Sequence, residues 1–101
     1  MKVSTNTVGR TLYLYPIGEL DHHGAKDAVN AIESKIDIEL PQNCVLVMSG
    51  ISFMDSSGIA VILKAKRRAE ESGSTFSVRD IPPQPMKILR AAGIARLVNI
   101  K

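Results

Sequence analysis

The 101 residues predict a single α/β domain in which helices pack against one layer of mixed β-sheet. Three observations predict it. Ala25, Ala28, Val29, Ile32 and Ile36 recur at helical spacing and make one apolar stripe. The run Cys44-Val45-Leu46-Val47-Met48 is continuously apolar yet too short for a helix. Helical spacing then returns in Gly58, Ile62, Ala65 and Ala69, so a strand is bracketed by two amphipathic helices. Such an alternation builds a sheet through right-handed crossovers.

The elements follow in order. Lys2 to Val8 reads as a weak, mostly polar strand, and Gly9-Arg10 as a tight turn into a second strand from Thr11 to Ile17. Leu12, Leu14 and Pro16 or Ile17 sit there among β-formers, which makes a hairpin. Gly18-Glu19 ends that strand. The first helix spans roughly His23 to Glu39, and Pro41 stops it. Cys44 to Met48 reads as a central strand covered on both faces. In the second helix Lys64, Arg67, Arg68 and Glu71 lie opposite the apolar stripe, and Gly73 is a natural stop. Ser74 to Arg79 is a strand centred on Phe76 and Val78. Pro82, Pro83 and Pro85 permit a loop and the first turn of a helix, which Met86, Leu89 and Ala92 continue to Gly93. Arg96 to Ile100 closes the chain as a last short strand.

Composition excludes several function classes. At 45% hydrophobic and 23% charged residues the chain has an ordinary globular balance, not a disordered one. With four aromatics the core must be mainly aliphatic, and this length leaves little room for both a scaffold and a deep pocket. The net charge of +3 is mild. Lys64, Lys66, Arg67 and Arg68 are followed at once by Glu70 and Glu71, which is a solvated helix face. A nucleic-acid binder would show a one-signed stripe with interleaved aromatics, so no nucleic-acid partner is expected. Cys44, the single cysteine, permits no internal disulfide and reads as a small core residue in a reducing compartment. Met1 to Gly9 lacks the apolar core of a signal peptide, and no apolar stretch reaches transmembrane length. A cytoplasmic protein with no membrane contact is expected.

The chemistry points to Asp55-Ser56-Ser57-Gly58, between the central strand and the second helix. Functional groups of open α/β sheets gather at the carboxyl ends of strands, where helix N-termini favour anions. From spacing alone the segment reads first as a helix N-cap. A phosphate on Ser56 would also be electrostatically welcome there, adding about two negative charges beside Asp55. Asp21-His22-His23 reads as a turn and cap, because adjacent histidines diverge and no second ligand cluster exists; neither metal nor cofactor is expected. A hydrolase using Ser56 with His22 or His23 lacks the Gly-x-Ser-x-Gly elbow.

The run from Ile51 to Leu63, containing Asp55-Ser56-Ser57-Gly58, resembles the phosphorylation motif of anti-anti-sigma factors, the single-domain STAS proteins. Gly18-Glu19-Leu20-Asp21-His22-His23 is similar to the segment before the first helix in the sporulation branch. Ala92-Gly93-Ile94 with Leu97-Val98 is similar to the family's closing helix and strand. The resemblance covers nearly the whole chain. It implies a STAS-like fold over residues 1–101 and a regulator, not an enzyme, that binds an anti-sigma factor and frees a sigma factor. It further implies that the anti-sigma factor has serine kinase activity toward Ser56 and that a serine phosphatase reverses the modification. Asp21 matches an acidic position near that serine and Asp55 flanks it, while Met54, Ser57, Gly58 and Ile59 would belong to the docking surface. The other role the fold implies is a STAS subunit of a transporter or stress-signalling complex, with the same surface as a fixed contact. The sequence departs from the pattern where Val47-Met48-Ser49-Gly50 lacks an aspartate and where Pro82-Pro83-Gln84-Pro85 precedes the last helix. It also ends after the last strand, without the extra helix of many relatives.

Overall fold

Alternation along the second strand decides which face of the sheet is covered. Leu12 and Leu14 are wholly buried, whereas Tyr13 and Tyr15, which alternate with them, are half-buried. In the computed structural model, which describes residues 1–101, β1 (Lys2–Val8) and β2 (Thr11–Leu20) form an antiparallel hairpin closed at Val8 and Thr11. Helix α1 (His22–Glu39) leads to β3 (Asn43–Val47), and β4 (Ile51–Met54) precedes α2 (Ser56–Glu71). Then come β5 (Thr75–Arg79), α3 (Pro83–Ala91), a short 3-10 turn (Ile94–Arg96) and β6 (Asn99–Ile100). The strands lie in the order β1-β2-β3-β5-β6, with β4 pairing the far end of β2. All pairings except the hairpin are parallel. The free edges are β1, which is mostly Ser, Thr and Asn after Lys2, the two-residue β6, and the side of β4 away from β2.

The helices cover one face. Gly24, Ala28, Ile32 and Ile36 of α1, with Gly58, Val61, Ile62, Ala65 and Ala69 of α2, meet Leu12, Leu14, Cys44, Leu46 and Val78 of the sheet. Phe76 is the one aromatic in this core, as the aliphatic composition requires. The expectation that the central strand is covered on both faces is corrected here. Val45 pairs with Tyr13 and Ser77 on the face without helices and is half-buried, whereas Val47 and Ser77 on that face are buried, so the second face is covered in part. There the Arg79 guanidinium lies over the Tyr13 ring, 5.0 Å from its centroid.

Three other expectations change. The second strand continues past Gly18-Glu19 to Leu20, with a register shift between those two residues. That extension exists because β4, a strand not foreseen, pairs with it: Gly18 opposite Ile51 and Leu20 opposite Met54. The closing segment is a 3-10 turn before a two-residue strand, not one strand from Arg96. On the outer face of α2, Lys66 pairs with Glu70 and Arg67 with Glu71, while Arg68 reaches across to Glu33 and Asp37 of α1 at 3.5 and 2.9 Å. Exposed pairs of this kind contribute about 0–1 kcal/mol each.

Burial pushes the Cys44 thiol up to about 12, so the nucleophilic thiolate is suppressed in the folded protein. A maleimide or disulfide reagent at pH 8 should therefore label Cys44 only as fast as the domain opens, with labelling accelerating through the urea transition. Prompt labelling in buffer alone would contradict this packing.

Candidate functional site

Parallel pairing of β2 and β4 brings Leu20 opposite Met54, so the two helices that follow start side by side. Each strand hands over to its helix through an aspartate with nearly the same backbone. Asp21 has φ −105° and ψ −174°, and Asp55 has φ −107° and ψ −170°. Both are N-caps. The Gly24 N–H donates to Asp21 Oδ1 at 2.9 Å, and the Ser57 N–H donates to Asp55 Oδ1 at 2.8 Å.

Asp55 does more than cap its own helix. Its second oxygen, Oδ2, accepts from the His22 N–H at 3.3 Å, so one carboxylate ties the first turns of α1 and α2 together. The Asp55 N–H in turn donates to the Leu20 carbonyl at 3.3 Å. Ser56, the first residue of α2, is exposed on top of this junction, and Ser57 is half-buried beside it.

Close approach fixes the glycines three residues after each aspartate. A Cβ on Gly24 would stand 2.8 Å from the Glu19 carbonyl oxygen, and one on Gly58 would overlap the Met54 side chain and come within 3.2 Å of Leu20 Cδ2. Asp21-His22-His23-Gly24 and Asp55-Ser56-Ser57-Gly58 are thus the same device used twice. The repeated Asp-x-x-Gly spacing is the sequence signal that foretells the junction.

The hydrogen bond from the Gly24 N–H holds the Asp21 carboxyl below the usual aspartate range, opposed by desolvation and aided by the backbone and charge of His23. A depressed folded value contributes stability above the ordinary value of 3.8 that is lost as pH falls through the folded value. Asp21→Asn, which caps well but does not ionise, should keep stability at pH 7 close to that of wild type. Its stability should also fall less steeply below pH 4. Urea unfolding at pH 3 and pH 7 checks both, and an unchanged acid slope would contradict the role given to the carboxylate.

Of the residues expected at the surface, Asp21, Asp55, Ser57 and Ile59 are half-exposed around Ser56. Met54 and Gly58 lie beneath the turn and are buried, so they support it from below and present no side chain outward. The exposed apolar side chain of this region is Phe53, at 44%. Sequence reading also passed over Gln84. Its Oε1 accepts from the Met54 N–H at 2.8 Å and its Nε2 donates to the Met54 carbonyl at 2.7 Å. A shallow groove of about 830 Å³ runs between α1 and α2 from His22 and Ser57 to Arg68 and Glu71. The His22 and His23 rings pack edge to face, 5.8 Å apart, and neither hydrogen-bonds to Ser56. That is no arrangement for activating a nucleophile.

A model of the STAS domain family matches residues 2–101. The chain belongs to the STAS family. This STAS domain is 30% identical over 83 residues to the anti-sigma F factor antagonist of Paenibacillus polymyxa, covering 82% of this chain and 71% of that protein. It is 32% identical over 88 residues to the anti-sigma F factor antagonist of Lysinibacillus sphaericus, covering 83% and 72%. The structure of the anti-sigma factor antagonist SpoIIAA in its unphosphorylated form superimposes with a TM-score of 0.74 at 26% identity, over 99% of this chain and 88% of that one. These relatives place the STAS domain among the anti-sigma factor antagonists, which are regulators and not enzymes. No helix of the domain is long and apolar enough to cross a membrane.

Proposed function

We propose that this STAS domain is a phospho-switched antagonist. With Ser56 unmodified it binds an anti-sigma factor, which lets go of its sigma factor. The anti-sigma factor, acting as a serine kinase, phosphorylates Ser56 and so ends the complex, and a serine phosphatase restores the binding form.

The observation that carries this reading is the exposure of Ser56 at a helix start, directly after a carboxylate that joins two helix N-termini. A phosphate there lies at the positive ends of two helix dipoles, so the fold tolerates it. The same phosphate adds about two charges beside Asp55 and Asp21, on the surface a partner would meet. The switch therefore acts on docking and leaves the fold in place. Asp21, Asp55, Ser57 and Ile59 form the rim of that surface, and Met54 and Gly58 hold its floor.

The test uses the purified domain and its cognate anti-sigma factor. Ser56→Asp should alter stability by only about 0.3–1 kcal/mol. It should weaken binding about tenfold or more, since like charges brought together at an interface cost several kcal/mol. Asp21→Asn should lower either the affinity or the rate of Ser56 phosphorylation. Binding that ignores the charge at residue 56 would instead fit a fixed STAS contact of a larger complex.

A further inference from the structure

We infer that Gln84 is a positioning residue for Ser56, setting the phosphorylated turn from the side of α3; this rests on the reading of Ser56 as the acceptor serine. Strand β4 has β2 on one edge and no strand on the other. At that open edge the last residue of the strand, Met54, would have both backbone groups unpaired. The Gln84 carboxamide satisfies both, at 2.8 and 2.7 Å, closing a two-bond ring as a neighbouring strand would. A primary amide offers an acceptor and a donor on two atoms of one neutral planar group, side by side, and Asn is a methylene too short for the same reach.

The position matters because Met54 stands two residues before Ser56. The Met54 side chain is fixed beneath Gly58 and Leu20, and its backbone is fixed by Gln84. On the opposite side the Leu20 carbonyl holds the Asp55 N–H. The turn is therefore gripped from both β2 and α3. The proline run is what sets Gln84 in place. Pro82 is extended at φ −64° and ψ 162°, Pro83 begins the helix, and Pro85 is buried, so little backbone freedom remains to be lost when Gln84 reaches Met54. Helix α3 has no side-chain cap of its own, and its first turn is tied down through Gln84 instead.

In the transfer, Ser56 Oγ bonds to the γ-phosphorus of ATP as the bond to the ADP oxygen breaks, and the hydroxyl proton passes to a base of the kinase. A displacement of about 1 Å in such a geometry costs on the order of a hundredfold in rate. Gln84 thus governs the turnover of phosphorylation more than the capture of the partner.

The experiment compares wild type, Gln84→Met and Gln84→Glu by amide hydrogen exchange and by steady-state phosphorylation with the cognate kinase. Gln84→Met keeps the length and removes both hydrogen bonds. Its protection at the Asp55 and Ser57 amides should fall about tenfold while that of Leu46 in β3 stays unchanged, because local opening is independent of global unfolding. Phosphorylation should lose about tenfold in kcat with KM for the domain within twofold, the pattern of a misplaced acceptor. In Gln84→Glu the protonated acid again offers a donor and an acceptor, so protection at the turn should return as pH falls through the carboxyl titration. Unchanged protection at Asp55 and Ser57 would overturn the inference, as would an equal loss at Leu46, which marks a merely structural role. If Gln84→Met does not fold, absence of pH-dependent recovery in Gln84→Glu overturns it. Failure of wild type to accept phosphate would sink the phospho-switch and leave the exchange data to decide Gln84 separately.

Discussion

Incubated with a cognate kinase and ATP, the domain should take up one phosphate on Ser56, and Ser56→Ala should take up none. The geometry separates the two serines. Ser56 is exposed at the first position of α2, with its hydroxyl free of internal hydrogen bonds. Ser57 is half-buried against the α1–α2 groove, and its N–H is held by Asp55 Oδ1. A kinase needs the hydroxyl in line with the phosphate and clear of the protein surface, which Ser56 offers. Because Asp55 caps through the Ser57 backbone, Ser56→Ala leaves that hydrogen bond intact and should change stability by no more than about 0.5 kcal/mol. Lost phosphorylation in this variant is then lost chemistry, not lost fold. Peptide mapping that put the phosphate on Ser57, or full phosphorylation of Ser56→Ala, would refute the assignment.

A large stability effect is expected at Gly58. Exchanging a helical glycine for alanine ordinarily gains about 1 kcal/mol. Here the new Cβ would overlap the Met54 side chain and press on Leu20 Cδ2. Methionine is flexible, but Met54 is wholly buried and its backbone is held by Gln84. Overpacking of this kind costs about 1–3 kcal/mol, so Gly58→Ala should destabilise despite its better helix propensity. The strain falls on the start of α2, where the Asp55–His22 contact is already long at 3.3 Å. A lower urea midpoint with unchanged slope checks this. A raised midpoint would mean that Met54 repacks freely. Gly24 is less forgiving still, since its neighbour is the Glu19 backbone carbonyl, which cannot rotate aside.

Much of this was legible in the sequence, for physical reasons. The stripes of α1 and α2 are long enough to repeat their period several times, and Leu12 and Leu14 mark a half-buried strand against Tyr13 and Tyr15. β4 escaped notice because its four residues are buried at the ends and exposed in the middle, a pattern without alternation. The register shift at Gly18 and Glu19 breaks the period of β2 where β4 joins it. The apolar run at β3 suggested two covered faces because Val45 is apolar, yet its neighbours across the strands are Tyr13 and Ser77, not a helix. The carboxylate turn announced itself through Asp, Ser and Gly, each strongly preferred at a helix start or a close approach. Gln84 could not, because its partner is 30 residues away on the strand that was missed.

The outer edges of β1 and β6 bear on how the protein behaves in quantity. One edge presents Lys2 and a row of hydroxyl and amide side chains; the other is two residues long, and its exit is closed by the Lys101 N–H on the Val78 carbonyl. Edges that are polar, charged or very short resist the addition of further strands, which is the common first step toward ordered aggregates. With these margins polar or short, and the open edge of β4 occupied at Met54 by Gln84, the sheet offers a poor template to strands from other copies of the chain.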